Sequence, residues 1–323
     1  MYDGIINVYK ERGYTSFDVV AKLRGILKQK KIGHTGTLDP DAEGVLVVCL
    51  GKATKLCDIL TDKDKRYDAV LLLGKTTDTE DGSGKILSEH EVTVSEEEVR
   101  EVVMSFVGEY DQIPPMYSAI KVNGKKLYEL ARQGVEIERK PRRVVINDID
   151  ITEINLPYVR FSVSCGKGTY IRSLCRDIGE KLSCGGIMDG LIRSSVNASE
   201  TGMKFKLSDS LKISEIEALI NNGGFEEHIL TIDKMFPNLC KTIVTGDGDR
   251  KLKNGNVLSV NDFQSVNNDD DKDVYGIKEE KSYTIPEKKD GLDCLVYNSQ
   301  GIFTAIYRYN EEIHGWKVYK MFA

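Results

Sequence analysis

The run Val45-Leu46-Val47-Val48-Cys49-Leu50 constrains this chain more than any other segment, because it is continuous, apolar, rich in β-branched residues and closed at once by Gly51. Such a run reads as a short buried strand. Just ahead of it lies Gly33-His34-Thr35-Gly36-Thr37-Leu38-Asp39-Pro40-Asp41-Ala42-Glu43-Gly44, an irregular stretch punctuated by glycine. Glycines at 33, 36 and 44 permit turns closed to other residues, and Pro40 fixes its own φ while pushing Asp39 out of the helical region. The strand anchors the loop, and the loop presents one carboxylate, Asp39. Taken alone, an Asp-Pro turn is only a turn.

Around this segment the pattern is that of an α+β protein. Ile5 to Tyr9 predicts a strand, and Thr15 with Asp18 caps a helix running to about Leu27, with Phe17, Val20, Ala21 and Leu27 inward. Ser95 and Glu98 form a capping box for a second helix, in which Val99, Val102, Val103 and Phe106 repeat at helical spacing and Gly108 is the stop. Asn123-Gly124 signals a hairpin within an insertion at about residues 115–143. Val159, Phe161, Val163 and Cys165 alternate with Arg160, Ser162 and Ser164, the mark of a half-buried strand in an antiparallel sheet. The helix after it buries Ile171, Leu174, Cys175, Ile178 and Leu182, which leaves Arg172 and Arg176 on another face. After about residue 235 short strands alternate with glycines and charged loops, predicting a small β-barrel domain over 236–323 beside a first domain over 1–235. Val266 to Lys289 reads as an exposed loop inside it.

A chain of 323 residues has room for two domains and a substantial core. No apolar run approaches the ~20 residues of a membrane span, and the N-terminus lacks a signal peptide, so a cytoplasmic protein is expected. Seven cysteines, odd in number and without a Cys-x-x-Cys pair, read as reduced thiols, and four scattered histidines offer no metal-ligand spacing. Asp78-Thr79-Glu80-Asp81-Gly82 lacks the glycine and glutamate register of a calcium loop, and no Gly-Lys-Ser/Thr closes a P-loop. The net charge of −6 argues mildly against a nucleic-acid partner. Its distribution weakens that objection. Lysines 121, 125, 126 and 140 and arginines 132, 139, 142 and 143 face only Glu129, Glu136 and Glu138 in the same stretch, whereas acid gathers at Asp269-Asp270-Asp271-Lys272-Asp273. A basic run is commonly a solvated face, but Tyr117 and Tyr128 interleave with this one, as suits exposed bases and phosphates.

The segment His34 to Asp39-Pro40, followed by Glu43-Gly44-Val45-Leu46, closely resembles the catalytic signature of the TruB family of tRNA pseudouridine synthases. Further segments resemble that family in order. These are Lys65-Arg66-Tyr67 through Gly82, Gln112-Ile113-Pro114-Pro115-Met116-Tyr117 to Lys121 with Arg132 and Gly134, Gly168-Thr169-Tyr170-Ile171-Arg172, and Leu191-Ile192-Arg193. The last departs from the pattern: the family usually has a second arginine where Ile192 stands, and Ser194 to Met203 is longer than its usual link. Leu252-Lys253-Asn254-Gly255-Asn256 resembles the opening of a PUA-like RNA-binding module.

The resemblance implies a pseudouridine synthase catalytic domain, with a mixed, mainly antiparallel sheet flanked by helices, and a C-terminal PUA-like β-barrel. It also implies isomerisation of the T-loop uridine at position 55 of tRNA. In that reaction the N1 glycosidic bond breaks, the uracil turns and C5 is joined to the sugar, without net oxidation or a departing group, so no cofactor is implied. Asp39 would be the catalytic carboxylate, a nucleophile or base that also stabilises positive charge at the sugar. Arg172 would pair with it, lowering its pKa by about 1–3 units against the rise that docked RNA causes. An Asp near its reference value of about 3.9 is ionised at neutral pH unaided, so the arginine serves mainly to orient it and keep it charged. Without the motif, Arg172 is a solvated first-turn cation. A stacked uridine must be extruded at a cost of a few kcal/mol. The resemblance assigns Tyr67 a catalytic place, to stack on the extruded base and serve in proton transfer at C5, and His34 the vacated position in the RNA. Tyr170 and Leu191 join the substrate-binding set, with Lys121, Arg132, Arg142 and Arg143 gripping RNA. The implied partner is the T-stem-loop of tRNA, bound by a monomer with no obligate protein partner. Two competing readings are an RNA-binding or tRNA-folding module, and a synthase acting on another RNA as guide-RNA-dependent relatives do. The intact trio Asp39, Tyr67 and Arg172 speaks against the first, and the compact chain against the second.

Overall fold

The computed structural model describes residues 1–61, 64–122, 124–198, 202–267 and 282–323. Asn123, the acidic cluster at 269–273, most of the 266–289 segment and residues 199–201 of the long link lie outside them.

The apolar run forms a strand at the heart of a large sheet. Its members are β1 (Gly4–Lys10), β2 (Ile32–His34), β3 (Glu43–Leu50), β4 (Asp64–Leu73), β5 (Gly108–Gln112), β6 (Arg142–Asn155), β7 (Tyr158–Cys165), β8 (Gly186–Ala198) and β9 (Met203–Lys206). The order is β1-β3-β8-β4-β7-β6-β5, with β2 added to β3 and β9 to β8. All these pairings are antiparallel except β8 with β3, where Arg193 lies opposite Gly44. The sheet is therefore mixed and mainly antiparallel. Gly44 has φ +105°, and a Cβ there would run into the backbone of Arg193. Only glycine lets the two strands meet so closely. Gly33, in contrast, needs no unusual φ: it lies within β2, opposite Cys49.

Helix α1 (Ser16–Ile26) starts at the Thr15–Asp18 capping box expected for it. Its inward face differs from the expected one. Val19, Val20, Leu23 and Leu27 are buried, while Phe17 is 62% exposed and Ala21 faces out. At 3.6 residues per turn, position 17 belongs to the opposite side from 19 and 23, and Phe17 instead lies 5.7 Å from the Arg24 guanidinium. Thr15→Ala should cost about 1 kcal/mol of stability in urea denaturation, with no change in the slope, because it removes one capping acceptor.

Helix α2 (Glu96–Met104) buries Val99 and Val103, and Gly108 opens β5 rather than ending the helix. The insertion contains the hairpin Lys121–Val122 with Lys125–Lys126 and the short α3 (Leu127–Ala131). Helix α4 (Ile171–Lys181) packs Leu174, Cys175 and Ile178 against Leu71, Phe161 and Val163 of the sheet.

A separate five-stranded sheet follows: β10 (Cys240–Val244), β11 (Phe263–Gln264), β12 (Asp293–Tyr297), β13 (Phe303–Asn310) and β14 (Gly315–Met321), in the order β11-β10-β12-β13-β14. It is consistent with a small PUA-like module, with Trp316 buried in its own core. Its other face is not independent of the large sheet. Ile243, Leu295, Ile306 and Phe322 share one apolar cluster with Ile5, Val45 and Val47. At roughly 1.5–3 kcal/mol for each fully buried aliphatic or aromatic side chain, that shared cluster ties the two sheets together.

Candidate functional site

The Asp39 loop is braced from below by two buried cations. Lys10, at the end of β1, donates from Nζ to the carbonyls of Ala42 (2.6 Å), Pro40 (3.1 Å) and Glu11 (3.2 Å). Arg193, 1% exposed on β8, donates from Nε to Val45 (2.7 Å), from Nη1 to Thr37 (3.4 Å) and from Nη2 to Gly36 (3.1 Å). Ser16 Oγ accepts from the Leu38 amide, and the Ala42 amide closes a turn on the Asp39 carbonyl. An irregular backbone has carbonyls that no ladder satisfies, and these side chains satisfy them. Burial pulls the Lys10 ammonium down to about 8 against the opposing charges of Asp39, Glu43 and Asp41.

Arg172 comes to the loop from the first turn of α4. That turn is fixed by Gln112 of β5, whose amide accepts from Tyr170 N at 2.9 Å and donates to Tyr170 O at 3.0 Å. Arg172 is 5% exposed and is no solvated cation. Its Nε lies 3.0 Å from Asp39 Oδ2, and Nη2 donates to Oδ1 at 3.3 Å. The remaining donor directions are taken by Tyr117 O (2.8 Å) and Thr79 O (3.1 Å), with Asp81 Oδ2 at 3.6 Å. The guanidinium thus meets one carboxylate with two donors in a fixed plane, a geometry that a lysine cannot reproduce.

Asp39, Tyr67, Tyr170, Arg172 and Leu191 all line one cavity of about 710 Å³, with Tyr128, Lys65, Arg142, Arg143 and Lys167 around it. The sheet brings them there: Tyr67 on β4 lies opposite Arg193 on β8, and Leu191 lies two residues before it. Although 38% of the Asp39 side chain faces the cleft, protein walls it elsewhere. Burial raises its pKa, and Arg172 and Lys10 offset that only in part while Asp81 adds to it. Burial therefore outweighs the arginine before any RNA arrives, where sequence reasoning balanced the two only on docking. Burial also pushes the Tyr67 phenol up, so it carries its proton at neutral pH.

Four expected site residues lie apart from this constellation or are otherwise engaged. His34 stands on β2 outside the cavity lining, its pKa lowered by burial and by Arg193, with Nδ1 buried and without a hydrogen-bond partner. Lys121 and Arg132 are on the insertion, Arg132 over the Tyr128 ring at 5.5 Å. Arg143 is held by Asp111 (2.7 Å) and Glu109 (3.2 Å), so its charge is largely matched, whereas Arg142 is exposed at the cavity wall. Sequence reasoning missed the bracing role of Lys10, Gln112 and Arg193. Asp81 caps its turn, accepting from Thr79 and Ser83, but it also faces Arg172. No periodicity marks Lys10, Gln112 and Arg193, because their partners are backbone groups of distant segments.

A family model described as TruB family pseudouridylate synthase (N terminal domain) matches residues 24–171. The chain is 52% identical over 328 residues to tRNA pseudouridine synthase B of Lachnoclostridium phytofermentans, covering 99% of each. It is 45% identical over 293 residues to the protein of that name from Clostridium acetobutylicum, covering 91% of this chain and 96% of the relative. Among solved structures, a chain in a Cbf5-Nop10-Gar1 complex superposes with a TM-score of 0.67 at 25% identity, covering 99% of this chain and 85% of that one. A chain in an H/ACA RNP bound to a substrate RNA containing 2′-deoxyuridine has a TM-score of 0.64 at 23% identity, with coverages of 99% and 85%, a likeness of fold.

Proposed function

The chain belongs to the TruB family of pseudouridylate synthases and isomerises a tRNA uridine to pseudouridine, and from that premise we propose that its target is the T-loop uridine at position 55 and that Asp39 is the catalytic carboxylate. The observation that carries this reading is the Asp39 carboxylate at the cavity, held by two donors of the buried Arg172 and flanked by Tyr67. The reaction breaks N1–C1′, forms C5–C1′ and exchanges the C5 proton for one at N1. Attack of Asp39 on C1′ and removal of the 2′ proton make the same demand: an ionised carboxylate of fixed orientation beside the ribose. Arg172 supplies both ionisation and orientation, since its Nε and Nη2 hold the two oxygens in one plane. Tyr67 and Leu191 offer flat and apolar surface for the extruded base. Arg142, with Lys65 and Lys167, gives the cavity wall the positive charge that phosphates need despite the acidic chain. His34 fills the vacated position in the RNA, and Lys121 and Arg132 grip the backbone from the insertion.

Residues 1–235 carry this chemistry and 236–323 add RNA contacts, in a protein that works as a monomer in the cytoplasm. Because the two sheets share an apolar cluster, the RNA role of the second is better tested by surface substitutions than by truncation.

The deciding measurement is tritium release from C5-labelled uridine in a T-stem-loop transcript. Release by the wild-type protein from position 55 alone is expected. Binding without release would instead favour an RNA-folding module, and release from other positions a different RNA target.

A further inference from the structure

Residues 79–81 clasp a single turn of α4. Thr79 O and Asp81 Oδ2 both meet Arg172 Nη1, at 3.1 and 3.6 Å. Between them, Glu80 turns its side chain to the other end of the same turn. It accepts from Ser173 Oγ at 2.6 Å and is paired with Arg176. Glu80 is buried and has φ +63°, a left-handed conformation uncommon for a residue with a side chain. Its backbone is fixed on both sides: its amide donates to Thr77 O at 3.3 Å, and its carbonyl accepts from Met188 N at 3.1 Å. The insertion reaches the same carboxylate through Arg139, 4.0 Å away, which also donates to Pro114 O at 3.0 Å.

We propose that Glu80 is the positioning residue that holds the 79–81 segment on α4, and thereby sets the two contacts that aim Arg172 at Asp39. No hydrogen bond or ion pair joins the Glu80 side chain to Arg172 or Asp39. The side chain anchors Ser173 and Arg176, while its immediate neighbours supply the far wall of the Arg172 guanidinium. Arg176 keeps Asp177 (2.6 Å) and Glu180 (3.6 Å) as partners without it, so loss of Glu80 unfastens the segment rather than stranding a buried cation. The same carboxylate links the base of the insertion to the site through Arg139.

This inference rests on the synthase reading, so the test begins with wild-type tritium release. Glu80→Gly removes the side chain and also the conformational strain, and a folded protein is expected. Its single-turnover rate at saturating T-stem-loop RNA should fall about 10–100-fold, the scale of an ångström-level misplacement, with RNA affinity within about twofold. Glu80→Gln, which keeps an acceptor for Ser173 but not the charge on Arg176, should lie between it and wild type. The acid limb of the Glu80→Gly rate profile should move to higher pH, because a less well-aimed Arg172 offsets the burial of Asp39 less. Lys10 of β1, Tyr67 of β4 and Tyr170 at the start of α4 lie outside the segment and keep their places, while Asp81 moves with it but acts on Asp39 less than Arg172 does, so the direction of the shift is set by the arginine. A merely structural role would leave that limb in place. A wild-type rate in Glu80→Gly, or a slower rate with an unmoved limb whether or not RNA binding weakens, overturns the proposal. No release by wild type overturns both it and the synthase reading.

Discussion

Asp39→Asn is expected to reduce tritium release to background, a loss of at least about 10⁴-fold, the upper end for removal of a general acid–base group. Asparagine keeps the shape of the side chain and can still accept a hydrogen bond from Arg172, but it can neither attack C1′ nor take a proton. Affinity for the T-stem-loop should stay within about 1 kcal/mol, since phosphate contacts dominate RNA binding and Asp39 makes none of them. Filter binding and single-turnover release on the same preparation separate the two effects. A large loss of affinity would show that Asp39 organises the loop, a role already filled by Lys10 and Arg193. The stability effect runs the other way. The folded pKa of Asp39 is raised, so between the unfolded value of about 3.9 and the folded one the native state holds the extra proton, and stability falls as pH rises through that window. The Asp39→Asn variant carries no such cost, and its thermal midpoint at pH 7 should equal or exceed that of wild type. The same raised value places the acid limb of wild-type kcat/KM above about pH 3.9.

Arg172→Lys is the second large effect. The guanidinium holds both carboxylate oxygens of Asp39 and is itself fixed by Tyr117 O and Thr79 O. An ammonium keeps the charge but cannot span those four acceptors in one plane. A rate loss of about 10²–10³ is expected, as for removal of one pre-organised charge-stabilising donor, or about 2.7–4 kcal/mol. RNA affinity should be nearly unchanged because Arg172 is buried beneath the loop. Arg172→Met removes the charge as well, so the Asp39 pKa should rise further and the acid limb move to higher pH than in wild type. An unmoved limb in Arg172→Met would mean that the arginine contributes position without electrostatics.

Local signals carried much of the fold. The capping boxes at Thr15 and Ser95 start the helices where expected, because the capping interaction involves only residues three apart. The alternation at 159–165 gave a strand for the same reason: its period is written in adjacent residues. The inward face of α1 was misjudged because an apolar residue at position 17 satisfies composition but not the arc occupied by 19, 20, 23 and 27. Arg172 and Arg176 were placed correctly off the apolar face of α4, yet that face is not solvent. It is a second interior lined with carboxylates, and helical periodicity cannot distinguish a polar interior from water.

What the sequence determined by itself was the presentation of Asp39: a loop with glycine at the two positions of positive φ, 36 and 44, fixed in front of a strand too apolar to lie anywhere but the core. It also placed Tyr67, Tyr170, Arg172 and Leu191 in motifs whose order resembles one family. Tertiary structure alone decided how the loop is held and what the carboxylate feels. Lys10, Arg193 and Gln112 act on carbonyls and amides tens to well over a hundred residues away, and the pKa of Asp39 is set by burial that no local pattern records. Hydrogen bonds to backbone need no particular residue type at the receiving end, so they leave no trace in the sequence they satisfy.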